Sequence, residues 1–187
     1  MDADFAEFVA AKQNGLLRYA MLLTGGDPHT AADLAQETFL RLGRRWRVVR
    51  DVEHQDAYAR RTMTRLWWSR SKRDRREVLL AEPEERATSD ADPAWTSDLW
   101  AALQLLPPRQ RAVLVLRYYE DCSEKEIAEI LACRPGTVKS QASRGMASLR
   151  RLMGVAGDGE PVVRRLVDGA TDSAVEDERA GGRSAHE

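Results

Sequence analysis

Between Glu77 and Trp95 the chain cannot continue as a helix that packs. Ala81-Glu82-Pro83-Glu84-Glu85-Arg86-Ala87-Thr88-Ser89-Asp90-Ala91-Asp92-Pro93 is acidic, holds two prolines and has no large apolar side chain, so nothing along it can be buried. On both sides apolar residues recur at helical spacing, and no strand-like alternation or hairpin turn pair stands out. The chain therefore reads as all-α. Its 187 residues suit two small helical domains, 5–76 and 96–153, joined by a flexible acidic linker, 77–95. Residues 154–187, rich in Gly, Asp, Glu and Ala, read as an acidic and largely disordered tail, in which Pro161 to Val167 could form one short helix.

Charge is divided along the chain as well. The formal net charge is only -1, yet Gly154 to Glu187 hold eight acids against four arginines, leaving 25 basic and 22 acidic residues before the tail. That excess of cations is further clustered, which points to an anionic partner. No run approaches the roughly 18 to 20 apolar residues of a membrane span, and Met1-Asp2-Ala3-Asp4 lacks the basic start of a secretory signal. A cytoplasmic protein is expected. Cys122 and Cys133 are the only cysteines; neither sits in a CxxC pair or near a histidine, so both read as reduced thiols, and no metal or other cofactor is implied.

In the C-terminal half, helices are predicted near Ser97 to Leu105 and Arg109 to Tyr119, the second announced by Leu106-Pro107-Pro108. Ser123-Glu124-Lys125-Glu126 is an S-x-x-E capping box that opens Ile127-Ala128-Glu129-Ile130-Leu131. A short turn at Ala132-Cys133-Arg134 leads to Pro135, which starts another helix. Helix, tight turn and second helix at this spacing form a helix-turn-helix, whose second helix enters the DNA major groove. On that helix Val138, Ala142, Gly145, Leu149 and Leu152 are predicted to pack inward. Thr137, Ser140, Gln141, Arg144, Ser148 and Arg151 point away, and this outer face has no carboxylate. Thr137, Lys139, Ser140 and Arg144, near the helix start, are placed to meet base edges and phosphates.

In the N-terminal half, Asp27-Pro28 is an N-cap and first-turn pair launching a helix to about Trp46. At 100° per residue Ala31, Leu34, Ala35, Phe39, Leu42 and Trp46 share one face, and Asp33, Gln36, Glu37, Leu40 and Arg44 the other. The residues alone make the second face a solvated one with a single exposed leucine. The next helix opens at Gln55 or Asp56. Arg61, Arg65, Trp68, Lys72 and Arg76 fall on one stripe of it, and Ala59, Met63 and Leu66 on the opposite side. Cations interleaved with an aromatic ring suit nucleic acid, because phosphates are held electrostatically and an unpaired base can stack on the ring; a solvated, salt-bridged helix is the plainer alternative.

Together the two halves resemble the extracytoplasmic-function (ECF) sigma factors, the minimal members of the sigma-seventy family, and in particular their actinobacterial SigE-like group. The resemblance covers Phe5 to Met153. Ala32-Asp33-Leu34-Ala35-Gln36-Glu37-Thr38-Phe39-Leu40-Arg41 is similar to the family's segment that binds the clamp helices of the polymerase β′ subunit. Leu105 to Arg111, Glu126 to Leu131 and Gly136-Thr137-Val138-Lys139-Ser140 are similar to its region four. The resemblance implies a promoter-selecting subunit, not an enzyme, whose partners are core RNA polymerase (β′ clamp helices and β flap) and promoter DNA. It turns Asp33, Gln36, Glu37 and Leu40 from solvent toward polymerase. It also implies that Arg47 to Gln55 captures a flipped base of the minus-ten element, and that the Arg61/Arg65/Trp68/Lys72/Arg76 stripe contacts the melted non-template strand. Thr137 to Arg144 would read the minus-thirty-five element. An anti-sigma protein clamped across both lobes is a further partner that the family often has.

Two departures from the family pattern matter. Arg65 and Ser69 stand where the family commonly has Asn and Asp in the promoter-melting helix, and Arg134, not a Ser cap, precedes Pro135. The acidic tail exceeds the minimal architecture, and either restrains the basic lobes electrostatically or only solvates them. A stand-alone helix-turn-helix regulator is the main alternative, but it leaves the basic, aromatic helix of the first half unexplained. An enzyme has little support: there is no P-loop, G-x-G-x-x-G, G-x-S-x-G or H-E-x-x-H.

Overall fold

The computed structural model describes residues 3–78 and 98–154, and the side chains of all of these except 74–78 and 98–100. The expected linker and tail therefore lie outside the described residues apart from their first positions. The described residues fold into helices and turns only: α1 (Ala3–Thr24), α2 (Pro28–Arg44), α3 (Trp46–Val49), α4 (Gln55–Val78), α5 (Asp98–Leu105), α6 (Pro108–Leu114), α7 (Glu124–Ile130) and α8 (Pro135–Met153). None of these helices is long and apolar enough to cross a membrane.

Local chemistry sets most of the boundaries. Asp27 caps α2 as the sequence predicts: its carboxylate accepts from the main-chain N–H groups of His29 and Thr30 at 3.0 and 3.2 Å, and from the Thr30 hydroxyl at 2.6 Å. α2 stops at Arg44, two residues short of the prediction. Arg45 leaves helical geometry (φ -120°, ψ 20°), and Trp46 instead begins the single turn of α3, its indole packed on Phe5 and Phe8 at centroid distances of 5.1 and 5.0 Å. At the end of α1, Gly25 and Gly26 both take positive φ (+79° and +88°), and the Gly26 N–H returns to Met21 O at 2.8 Å, closing the helix with a left-handed cap.

In the first unit, α1, α2 and α4 pack around Leu16, Tyr19, Leu23, Leu34, Leu42 and Met63, all at most 4% exposed. The predicted inner faces are buried: Ala31, Leu34, Ala35 and Leu42 on α2, and Ala59, Met63 and Leu66 on α4. Phe39 is only partly buried. Tyr19 and Thr64, buried between α1 and α4, share a 2.7 Å hydrogen bond, which satisfies two groups that would otherwise be costly to bury.

In the second unit α6 starts at Pro108 and widens after Leu114 into a π-helical turn, Val115–Tyr119, where one continuous helix was predicted. α7 and α8 form the helix-turn-helix. Both halves of the Ser123/Glu126 capping box are present, Glu126 N–H to Ser123 Oγ at 3.3 Å and Ser123 N–H to Glu126 Oε2 at 2.9 Å. Val138, Ala142, Gly145, Met146 and Leu149 of α8 are buried, whereas Leu152, predicted inward, is 40% exposed in the last turn. Gly145 lets α8 approach α6 closely, since a Cβ there would lie 3.2 Å from both Gln110 Cβ and Leu114 Cδ1.

The two units are docked, so that their buried apolar residues form one cluster. Arg111 of α6, 7% exposed, donates through Nε to Leu23 O of α1 at 2.8 Å and through Nη1 to Leu103 O of α5 at 3.0 Å. One buried guanidinium thus satisfies carbonyls near the C-terminal ends of two helices.

Candidate polymerase and promoter-DNA faces

The face of α2 opposite the core is open. Asp33 and Gln36 are exposed, and Leu40 is 57% exposed. Beside Leu40 an apolar groove of about 690 Å³ runs between α1 and α2, lined by Phe5, Val9, Leu17, Phe39 and Trp46 among others. An exposed leucine at the lip of an apolar groove, flanked by a carboxylate and an amide, fits a helical partner. Glu37 does not share this face. Its carboxylate is turned toward α4, with Arg41 Nη2 at 2.8 Å and the Arg70 guanidinium on its other oxygen. Burial alone would raise the Glu37 carboxyl, but the hydrogen bonds and charges of Arg41 and Arg70 outweigh it and hold it below the usual carboxylate range.

The pair Glu37–Arg70 marks a larger feature that the sequence did not suggest. α2 and α4 enclose a cleft of about 1130 Å³ lined by Arg41, Arg44, Arg45, Arg65, Arg70, Lys72 and Arg73, with Glu37 the only acid among the described residues of the lining. Seven cations against one carboxylate in a concave site is an electrostatic profile for a phosphate backbone. Arg65 and Lys72 come from the predicted stripe; Arg41 and Arg44 come from α2 and Arg45 from the residue that ends it, and only a tertiary structure could join them.

The rest of the stripe is placed differently from the expectation. Arg61 is exposed but paired, its Nη2 lying 2.8 Å from Glu126 of α7. Trp68, expected as an exposed stacking ring, is 4% exposed: its indole N–H donates to Leu131 O at 3.0 Å, and Lys72 and Arg109 approach the ring at 5.3 and 5.5 Å from its centroid. The reason is that α4 packs on two sides, with α1 and α2 on one and α6 and α7 on the other. Arg76 lies in the last turns of α4, and its side chain is outside the described residues.

Within the segment Arg47 to Gln55, 47–49 belong to α3 and 50–54 form the loop before α4. Gln55 Nε2 donates to Arg50 O at 2.8 Å and pins the loop. A hollow of about 410 Å³ opens there, lined by Lys12, Val52, Glu53, His54, Gln55, Asp56 and Arg60 among others. On α8, Lys139 and Arg144 are exposed, and Thr137 and Ser140 are half-buried, the Ser140 hydroxyl donating to Thr137 O at 3.0 Å. Arg134 gives α8 no side-chain cap; Pro135 at the helix start has no N–H to satisfy, and the Thr137 N–H returns to Arg134 O at 2.9 Å.

Comparison with known proteins places both units in one family. The family model for Sigma-70 region 2 matches residues 8–77, and that for Sigma-70 region 4 matches residues 96–149. The RNA polymerase sigma-E factor of Streptomyces coelicolor is 40% identical over 153 residues, covering 79% of this chain and 84% of that protein. The chain belongs to the extracytoplasmic-function sigma factors of the sigma-70 family. Among other sigma factors, the ECF RNA polymerase sigma factor SigE of Mycolicibacterium smegmatis is 33% identical over 159 residues, covering 77% of this chain and 59% of its own. The sigma factor RpoE of Bartonella quintana, solved in complex with the anti-sigma factor NepR, has the same fold: TM-score 0.64 at 23% identity, covering 82% of this chain and 99% of that one. In sigma-factor terms α1 to α4 are region 2 and α5 to α8 are region 4.

Proposed function

We propose that this sigma factor binds core RNA polymerase through the outer face of α2 and carries promoter DNA on two further surfaces, acting by binding and without bond chemistry. Asp33, Gln36 and Leu40, with the groove beside them, take the β′ clamp helices. The cationic cleft between α2 and α4 holds the backbone of the melted non-template strand, with the 50–54 loop and its hollow accepting an unstacked base. Thr137, Lys139, Ser140 and Arg144 on α8 face the upstream element, and region 4 meets the β flap. Extruding a base costs a few kcal/mol, which the protein offsets by stabilising the opened state. The cytoplasm is the site of action, and an anti-sigma factor is a natural further partner, as NepR is for the RpoE relative.

The observation that carries this reading is the contrast of chemistries on region 2: exposed Asp33, Gln36 and Leu40 beside an apolar groove on one side of α2, and on the other a cleft with seven cations and one carboxylate among the described lining residues, Arg44 standing between the two. A stand-alone operator-binding protein needs neither. The test is co-elution of the purified chain with core polymerase on size exclusion, followed by run-off transcription from a genomic-fragment library. Co-elution with new sequence-specific transcripts is expected; no binding to core, together with tight binding to duplex DNA alone, would make it a stand-alone regulator.

A further inference from the structure

The cleft between α2 and α4 holds more positive charge than a single strand can use. Its described cations sit on two short stretches, Arg41 to Arg45 at the end of α2 and Arg65 to Arg73 on α4, which rise about 6 Å and about 12 Å along their helices. A strand stacked as in B-form carries one charge per roughly 3.4 Å of axis, so about four phosphates fit the longer stretch, and fewer once the strand is unstacked and stretched. Against them stand seven cations and one carboxylate among the described lining residues. Such a density suits an anion in which successive phosphates share a bridging oxygen, with no sugar between them. Arg44, Arg45 and Arg65 are exposed and have no ionic or hydrogen-bond partner among the described residues, so their guanidiniums can fork onto phosphate oxygens. Glu37 takes one guanidinium from each wall, Arg41 and Arg70, which ties the walls together before a ligand arrives and lowers the cost of ordering them. The hydroxyls of Thr62 and Ser69 add uncharged donors to the lining. Half-buried Tyr58 is the only aromatic among the described lining residues, and Trp68 is 4% exposed, so a nucleoside finds little to stack on.

We propose that this cleft is a binding site for a short linear oligophosphate, held through its phosphates alone. An inorganic phosphate chain and a nucleoside triphosphate share that chemistry; the inorganic chain carries more charge for its length, because neither end is esterified. A filled cleft cannot hold the melted strand, so promoter opening by this sigma factor falls as oligophosphate accumulates. That consequence rests on the reading of the cleft as the strand site; the binding itself does not.

The test is isothermal titration of the full chain with inorganic tripolyphosphate, inorganic phosphate and ATP, in buffer without divalent cations. Tripolyphosphate is expected to bind one per chain, about tenfold or more tighter than inorganic phosphate. Arg45→Ala with Arg65→Ala removes one guanidinium from each wall and should weaken it about tenfold or more. Lys125→Ala with Arg151→Ala, two exposed cations on α7 and α8, makes the same charge change outside the cleft and should leave affinity within about twofold, since exposed distant charges are screened. ATP separates the two sources: it should bind no more tightly than tripolyphosphate, and tighter ATP would make this a nucleotide site and overturn the proposal. Equal weakening by the two double variants, or tripolyphosphate that binds no better than inorganic phosphate, would overturn it too. Displacement of a fluorescent, mixed-sequence single-stranded DNA, read by anisotropy, keeps the two readings of the cleft apart. Tripolyphosphate that needs Arg45 and Arg65 and displaces the strand supports both; tripolyphosphate that needs them and leaves the strand bound keeps the oligophosphate site and removes the strand from the cleft.

Discussion

Arg60 of α4 and Glu120, just past the π turn of α6, form an ion pair between the two units, Nε to Oε1 at 2.6 Å, with the carboxylate side chain 8% exposed and the guanidinium 32%. The two partners respond oppositely to it. Burial pushes the Glu120 carboxyl above its ordinary value despite the attraction of Arg60, whereas for the less buried Arg60 the hydrogen bond and charge of Glu120 outweigh desolvation and raise it further. Ionised Glu120 is thus tolerated only because Arg60 is there.

Arg60→Ala strands that carboxylate and is expected to cost about 2 to 3 kcal/mol at neutral pH. A carboxyl whose folded pKa is raised stabilises the fold most below its unfolded pKa, and loses that contribution as pH rises through the folded value. The deficit of Arg60→Ala should therefore shrink on acidification from pH 7 to pH 5, as Glu120 takes up a proton. Urea unfolding of both proteins at the two pH values measures this, and a deficit independent of pH would mean that Glu120 finds another partner.

Two glycines separate backbone strain from helix propensity. Gly25 sits at φ +79°, and a Cβ there would run into the Arg111 guanidinium and lie 3.0 Å from Gln104 Cα. Gly25→Ala combines the left-handed penalty with displacement of a side chain that ties α1 to α5, and should cost about 2 kcal/mol or more. Gly15, inside α1, meets nothing within 4 Å, so Gly15→Ala should stabilise by roughly 0.5 to 1 kcal/mol. Thermal melts of the pair should move in opposite directions.

What could be read from the sequence divides by range. Asp27 capping α2 and Ser123 with Glu126 opening α7 act within three residues, and the inner faces of α2, α4 and α8 follow from 3.6-residue periodicity; all of these were legible. Trp68 was not, because the group that buries it, Leu131 O, is 63 residues away. Period alone places Trp68 opposite Met63, which is correct, but cannot tell that a helix with two apolar flanks will be covered twice. Glu37 fails for the same reason: periodicity puts it on the outer face of α2, and Arg70, 33 residues on, turns its carboxylate toward α4. The basic cleft needed α2 and α4 to be adjacent before its arginines could be counted together.

The polymerase face gives a prediction that splits the α2 residues. Leu40 and Asp33 are exposed, so Leu40→Ala with Asp33→Ala should leave stability within about 0.5 kcal/mol while weakening core polymerase binding about tenfold, as loss of a central apolar anchor does. Glu37→Ala should do the reverse: core affinity changes little, while the link between α2 and α4 through Arg70 is lost and the protein melts earlier. Binding titrations with core polymerase, alongside melts of the same proteins, check both. Equal loss of core affinity in the two sets would return Glu37 to the polymerase face.

Arg44 and Arg45 test the cleft itself. Both line it from the C-terminal end of α2, outside the stripe on α4 and away from region 4. If the strand backbone runs between α2 and α4, Arg44→Ala with Arg45→Ala removes two phosphate partners, and the slope of log affinity against log salt for single-stranded DNA should fall by about 1.4. Sequence preference at the upstream element should not change, because Lys139 and Arg144 are on α8. Arg144→Ala should give the complementary result, weaker use of the upstream element in duplex DNA with single-strand affinity and core binding intact. Salt titrations by fluorescence anisotropy on both probes separate the two surfaces. An unchanged slope in the double variant would send the strand along α4 alone and leave the arginines of α2 without a nucleic-acid role.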